Sequence, residues 1–239
     1  VYLKKSSEVQ KMTIPVVKTS LTQLSEEKSI KKEINAKTEK ISLRYGLIDM
    51  KKIITGYLKG NYNDSSDKFE TFNGDSLTSW ANFSWNSKHY STSIVVPSEF
   101  TSKIKTDGKK SIILDSKIHT ITHVLVNASK ILTKSESNDI DAYYENGVIH
   151  LFDNTSDGYN GCSKMIYDNF ENIMNICYDL VNECDCPTDE KQKKQVLEGE
   201  EWGGCPKCTF TTNYCQTKNK KLSKKDAMEF FSIFKKDKK

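Results

Sequence analysis

Hydrophobic and polar positions change their rhythm near residue 110. Residues 1–40 are rich in Lys, Ser, Glu and Thr and lack a strong apolar period. They read as a polar lead-in or an edge element, with a short strand at Met12-Thr-Ile-Pro-Val-Val17. Residues 41–58 have the β-branched and aromatic content of two strands around a turn. A second β segment carries Trp80, Phe83, Trp85 and Tyr90 and stops at Pro97, which has no N–H for a ladder. After residue 110 the spacing turns helical. Ile118, Ile121, Leu125, Val126 and Ile131 predict a helix over 116–132. Residues 141–152 read as a hairpin about Asn146-Gly147, and 153–161 as a polar loop with Gly158 and Gly161. Ile166, Phe170, Ile173, Cys177, Leu180 and Cys184 then fall on one helical stripe. Ser223-Lys-Lys-Asp226 resembles a capping box opening a last helix with Ala227, Phe230, Phe231 and Phe234.

The fold class expected is α+β: a β-rich N-terminal portion leading into a helical domain pinned by a four-cysteine site drawn from Cys184, Cys186, Cys205, Cys208 and Cys215. The divisions expected are 1–40, a β-rich linking region at 41–110 and a helical domain with that site at 111–239. No internal repeat is present.

Composition narrows the function class. Mean hydropathy is −0.63 and no window approaches a membrane span, so a polar, non-membrane chain is expected. Net charge is +4, carried almost wholly by Lys, with Arg44 the one Arg. Lys meets phosphate as a point charge and lacks the fork that reads guanine, so any nucleic-acid contact should be electrostatic and weakly sequence-specific. An AT-rich coding sequence produces the same Lys/Asn/Ile bias. The opening Val1-Tyr-Leu-Lys-Lys carries no apolar signal segment, and a start without Met fits a fragment or processed product. The compartment expected is reducing, cytoplasmic or nucleoid-associated.

The most specific signal is the cysteine pattern. Five of the seven cysteines lie between residues 184 and 215: Cys184-Asp-Cys186, Cys205-Pro-Lys-Cys208 and Cys215. A C-P-x-C knuckle turns two sulfurs toward one metal, and zinc closes a tetrahedron of thiolates. Four of these five are expected to bind Zn. Cys205 and Cys208 are the surest; Cys215 and one or both of Cys184 and Cys186 complete the shell. A closed four-sulfur shell leaves no place for water, so the site is structural. Cys162 and Cys177 read as buried small apolar residues.

Other candidates have plainer readings. His119 and His123 share a helix face at i and i+4, but no Glu stands between them, so local hydrogen bonding is favoured over metal ligation. The loop 153–161 precedes a helix whose N-terminus could take a phosphate; a tight strand-to-helix connection is favoured. The aromatics at 80, 83, 85 and 90 could stack on bases but read better as core. No GxxxxGK followed by Ser or Thr occurs, so no ATPase or other catalytic residue is assigned to this chain alone.

Together, residues 110 to 231 resemble the MrfA-like zinc-binding domain (MZB) family, which sits C-terminal to the motor in a group of superfamily 2 DNA helicases. His119-Thr-Ile-Thr-His123 resembles that family's HALxHAL helix. Val148-Ile-His-Leu-Phe-Asp-Asn154 resembles its strand ending in Y-D, and Gly158 and Gly161 fall in its glycine loop. Cys184-Asp-Cys186, Gly204-Cys-Pro-Lys-Cys208 and Cys215 match its CxC…GCPxC…C pattern, and Asn219-Lys-Lys-Leu-Ser-Lys-Lys-Asp-Ala227 its N-x-x-L-x-K-x-x-A tail. The loop 187–204 is longer than the family's, and Ser156-Asp157 stands where Pro-Gly is usual. The resemblance implies an accessory module of an ATP-dependent DNA helicase in DNA processing or repair. Its partners would be a helicase motor, in cis or in trans, and single-stranded DNA. The alternative is a protein-interaction scaffold that docks a separate motor, for example in a phage-defence complex. A third reading, a metal-dependent hydrolase, would use His119, His123 and Asp153.

Overall fold

The structure is a computed structural model that describes residues 11–23, 30–35, 40–61, 70–73, 84–97, 100, 111–186, 205–211 and 222–235. Its strands are β1 (Lys11–Gln23), β2 (Ile30–Asn35), β3 (Lys40–Asn61), β4 (Glu70–Asn73), β5 (Ser84–Val95), β6 (Ile140–Glu145) and β7 (Val148–Asp153). Its helices are α1 (Ser111–Thr133), α2 (Cys162–Asp168), α3 (Phe170–Asn182) and α4 (Lys224–Ser232). A β-rich N-terminal part thus gives way to helices, as the sequence predicts.

The chain divides into two compact units, one of residues 1–22 and 49–87, the other of 23–48 and 88–239. In the first, β4 pairs antiparallel with β3, Tyr57 opposite Phe72. In the second, β2 pairs antiparallel with the start of β3, Ile34 opposite Ile41, and β5, β7 and β6 follow in antiparallel order.

Two elements differ from the sequence reading. Residues 41–58 lie in one continuous strand, not two strands around a turn. No proline interrupts the segment, and its two halves take different partners, β2 and β4, so a change of neighbour replaces the turn. The polar lead-in holds the strand expected at Met12–Val17, extended to Lys11–Gln23 as β1, and a second, unexpected strand, β2, because pairing satisfies backbone groups whatever the side chains offer.

The hairpin follows its turn chemistry. Asn146 and Gly147 both have positive φ, 51° and 81°, as a two-residue type I′ turn requires. Alternation along β7 puts Ile149 and Leu151 into the core beside Ile94 of β5.

The helical stripe is broken once. Asn169, at φ −109° and ψ 33°, separates α2 from α3, and its side chain bonds back to the Met165 carbonyl. Beyond the break Ile173, Met174, Cys177 and Val181 are buried, while Leu180 is half-buried. Cys177 is the core residue expected; Cys162 is only half-buried. Helix α1 packs on α3, α4 and β6, and the core gathers Ile118, Ile121, Leu125, Phe170, Phe230 and Phe231. Nine residues are too few for a helix stable alone in water. Burying Phe230 and Phe231, about 1.5–3 kcal/mol each, outweighs a capping bond of about 1 kcal/mol, so packing decides α4.

Candidate metal centre

Four cysteine sulfurs converge where α3 ends. Cys184 and Cys186 follow the α3 C-cap at Glu183, and Cys205 and Cys208 come from the knuckle. Their sulfurs all lie within 4.8 Å of one another. Cys184 Sγ is 3.6 Å from Cys205 Sγ and 3.5 Å from Cys186 Sγ. A disulfide needs about 2.05 Å, and all four are free thiols. A tetrahedron with Zn–S near 2.3 Å has edges of about 3.8 Å, close to these separations. Both members of Cys184-Asp-Cys186 therefore reach the cluster; Cys215 lies outside the described residues.

The electrostatics also fit a cation. Burial pushes the Cys184 thiol up to about 11, and burial with the charge of Cys205 pushes Cys208 well above the ordinary thiol value. Burial opposes ionisation of Cys205 too, but the N–H groups of Lys207 and Cys208 bond its sulfur and bring its pKa below the ordinary value. One sulfur is prepared to carry charge while its neighbours resist a second. Sulfurs packed this closely share further negative charge only around a positive ion.

Local hydrogen bonds shape the knuckle. Cys205 N–H donates to Thr209 Oγ1 at 2.7 Å, and Thr209 and Phe210 N–H both donate to the Cys205 carbonyl at 3.0 Å. Helix α1 holds the knuckle from the other side. His123 Nδ1 donates to the Thr209 carbonyl at 3.1 Å, and Asn127 Nδ2 to the Phe210 carbonyl at 2.7 Å. These residues stand four apart, so one face of α1 presents both donors.

That arrangement answers the histidine question. Among the described residues the metal-type cluster contains only cysteines. The rings of His119 and His123 meet edge to face, 4.1 Å between centroids. Burial lowers His123 to about 3 and His119 to about 4, keeping both neutral. His123 is an anchor of the knuckle, which its spacing alone does not show.

Helix α4 closes the site. The Ser223 hydroxyl accepts from Asp226 N–H, as the capping pattern predicts, and Ser223 N–H donates to Thr120 Oγ1 of α1 at 2.8 Å. The next residue, Lys224, donates from Nζ to Cys186 Sγ at 2.8 Å. Burial alone would lower this ammonium's pKa; the Cys186 contact raises it overall. The sequence pattern gives no sign of the roles of Asn127 and Thr209. Lys224 stands in the tail motif, but nothing in the pattern says that it faces a sulfur.

The glycine loop holds no free anion site. Asp153 is buried, and its carboxylate accepts from Asn160, Gly161 and Ser163 N–H at 3.1, 3.2 and 2.6 Å. The chain's own carboxylate occupies the start of α2, so the loop is the tight connection expected. Gly158, at φ 71°, lies against the Lys88 carbonyl with no room for a Cβ, and its own carbonyl accepts from Tyr90 N–H.

Trp85 and Tyr90 depart from the core reading. Trp85 and Tyr90 are exposed, and Trp80 and Phe83 lie outside the described residues. Tyr90 stacks on Tyr45 and meets the exposed Tyr159 edge to face at 5.2 Å. Lys164 Nζ lies 5.7 Å from the Tyr45 ring. Beside the thiols, by contrast, Asp179, Glu183 and Asp185 line a shallow groove of about 420 Å³. Among the described residues no helix is long and apolar enough to cross a membrane.

No curated protein matches the sequence. A crystal structure of the DUF1998 helicase MrfA bound to DNA aligns with 95% of this chain at a TM-score of 0.52 and 16% identity, a likeness of fold. Two further crystal structures of that helicase, one of them bound to DNA and AMPPNP, align at 0.44 with 15% and 13% identity. They cover 82% and 94% of this chain and 22% and 23% of theirs. The chain spans 26% of the first of these helicase chains. Residues 121–209, the stretch that runs from α1 through the knuckle and carries all four clustered thiols, match the family model of the MrfA Zn-binding domain.

Proposed function

We propose that this chain is the zinc-pinned accessory module of an ATP-dependent DNA helicase and helps to hold single-stranded DNA beside the motor. The match of residues 121–209, which contain the thiol cluster, to the MrfA Zn-binding domain carries this reading. The likeness of fold to MrfA bound to DNA supports it. Cys184, Cys186, Cys205 and Cys208 would hold one zinc ion, leaving Cys215 outside the shell. The metal would supply structural cross-linking and no chemistry of reaction, since four sulfurs fill a tetrahedron.

DNA would meet the Tyr90–Tyr159 face, where exposed rings can stack on bases and the exposed Lys88, two residues from Tyr90, would meet phosphate, with Lys164 shared with Asp168. The carboxylates of the groove beside the thiols repel phosphate, which argues against contact there. Titration of labelled single-stranded DNA should show binding that weakens with salt, with a log–log slope of roughly −0.7 per phosphate contacted. Tyr159→Ala should weaken it several-fold. Absence of binding at low salt, or binding indifferent to salt, ends the DNA part of the proposal. Tight capture of a motor protein without DNA affinity would favour the scaffold reading instead.

A further inference from the structure

Lys224 is the first residue of α4 and only 6% exposed. Burying an ammonium is strongly unfavourable unless an anion meets it. The nearby carboxylate of Asp226 is engaged by Lys117 at 2.7 Å. The acceptor that does meet Lys224 is Cys186 Sγ, 2.8 Å away. A neutral thiol is a weak acceptor and a thiolate a strong one, so the position suits a charged sulfur. The ammonium is brought there by a separate framework. Ser223 is tied to Thr120 of α1 through its N–H and caps α4 through its hydroxyl, which fixes the backbone next to Lys224.

We propose that Lys224 is the positioning residue of the thiol cluster: its ammonium holds Cys186 Sγ as a metal-bound thiolate and offsets part of the centre's charge. Four thiolates around a divalent cation carry a net charge of about −2, and a single buried ammonium halves it. Lys224 lies outside the matched stretch 121–209, at the Lys of the tail motif that follows the knuckle, so α4 reaches back to the thiol cluster. The same contact gives Cys186 a partner from outside the four sulfurs.

The proposal rests on the zinc reading above, and one experiment separates the two. Zinc content and affinity are measured on the full chain by elemental analysis and competition with a chromophoric chelator. The parent and Lys224→Met, Lys224→Gln and Lys224→Arg are compared. Lys224→Met should bind zinc about 10- to 100-fold more weakly, as loss of an outer-sphere partner does. Lys224→Gln should fall between it and the parent, and Lys224→Arg should recover most of the affinity. Iodoacetamide labelling of the zinc-loaded proteins, mapped by mass spectrometry, gives a readout that loosened packing would not. Without the ammonium, Cys186 should be alkylated ahead of Cys184, Cys205 and Cys208. A parent without zinc overturns both readings. A parent with zinc, together with folded variants of unchanged affinity and even labelling, overturns the role of Lys224 alone. Should Lys224→Met fail to fold, Lys224→Gln at parental affinity overturns it equally.

Discussion

Three histidines carry the chain's clearest consequence at the scale of single residues. Burial holds His119 and His150 near 4 and His123 near 3, below the 6.5 of an exposed imidazole. Between those values and 6.5 the unfolded chain binds protons that the folded chain refuses. Their stabilising effect is therefore complete above pH 6.5 and lost as pH falls toward 4. His150 is the cleanest probe, because its Nδ1 pairs with Ser93 Oγ at 2.8 Å in the sheet, away from the thiols. Its share is up to about 3 kcal/mol. Denaturant unfolding of the parent and His150→Gln from pH 7 to pH 4.5 should show a difference that shrinks with acidity. A difference constant with pH contradicts neutral burial. The histidines' presence was plain in the sequence. That His123 and His150 are buried and His119 half-buried, and that His123 serves the knuckle, depends on residues 86 positions away in the case of Thr209.

At the scale of elements, α1 acts as the bracket of the thiol cluster. It supplies His123 and Asn127 to the knuckle and Thr120 to the entry of α4. Asn127→Ala should cost about 1–2 kcal/mol, since the Phe210 carbonyl loses its donor. Adding His123→Ala should give a non-additive loss, because both anchors restrain one short segment. Hydrogen exchange should rise at the Thr209 and Phe210 amides and stay unchanged in β6 and β7, with zinc retained. Exchange that rises evenly across the helices would mean that α1 itself is disturbed. The sequence shows α1, the hairpin and the α4 cap well, because each rests on local chemistry: a helical period, Asn-Gly, Ser-x-x-Asp. It does not show the unbroken β3, whose halves are fixed by different partners, nor the interruption at Asn169 within a continuous apolar stripe.

Across the larger unit, the thiol cluster joins three segments that the chain delivers separately: the end of α3, the knuckle and, through Lys224, the start of α4. A bound ion would stabilise the folded state by its binding free energy, as linkage requires. The core on α1, α3 and α4 is extensive, so loss of metal should weaken this unit rather than abolish it. Chelation should lower the melting temperature on the order of 10 °C, with recovery on added zinc but not magnesium. An unchanged melting curve after verified removal of zinc would show that the cluster is not a structural clasp.

What the sequence determined by itself is whatever depends on short range. The ligand type, the knuckle, the helix and hairpin signals and the ordered motifs behind the family resemblance are all local, set by residues a few positions apart. Tertiary structure decided which atoms meet. It brought both Cys184 and Cys186 to the sulfur cluster, filled the start of α2 with Asp153 and set Lys224 against Cys186. The physical reason is that a sulfur's charge, a carboxylate's partners and an ammonium's burial are set by neighbours distant in the chain, and only packing chooses those neighbours.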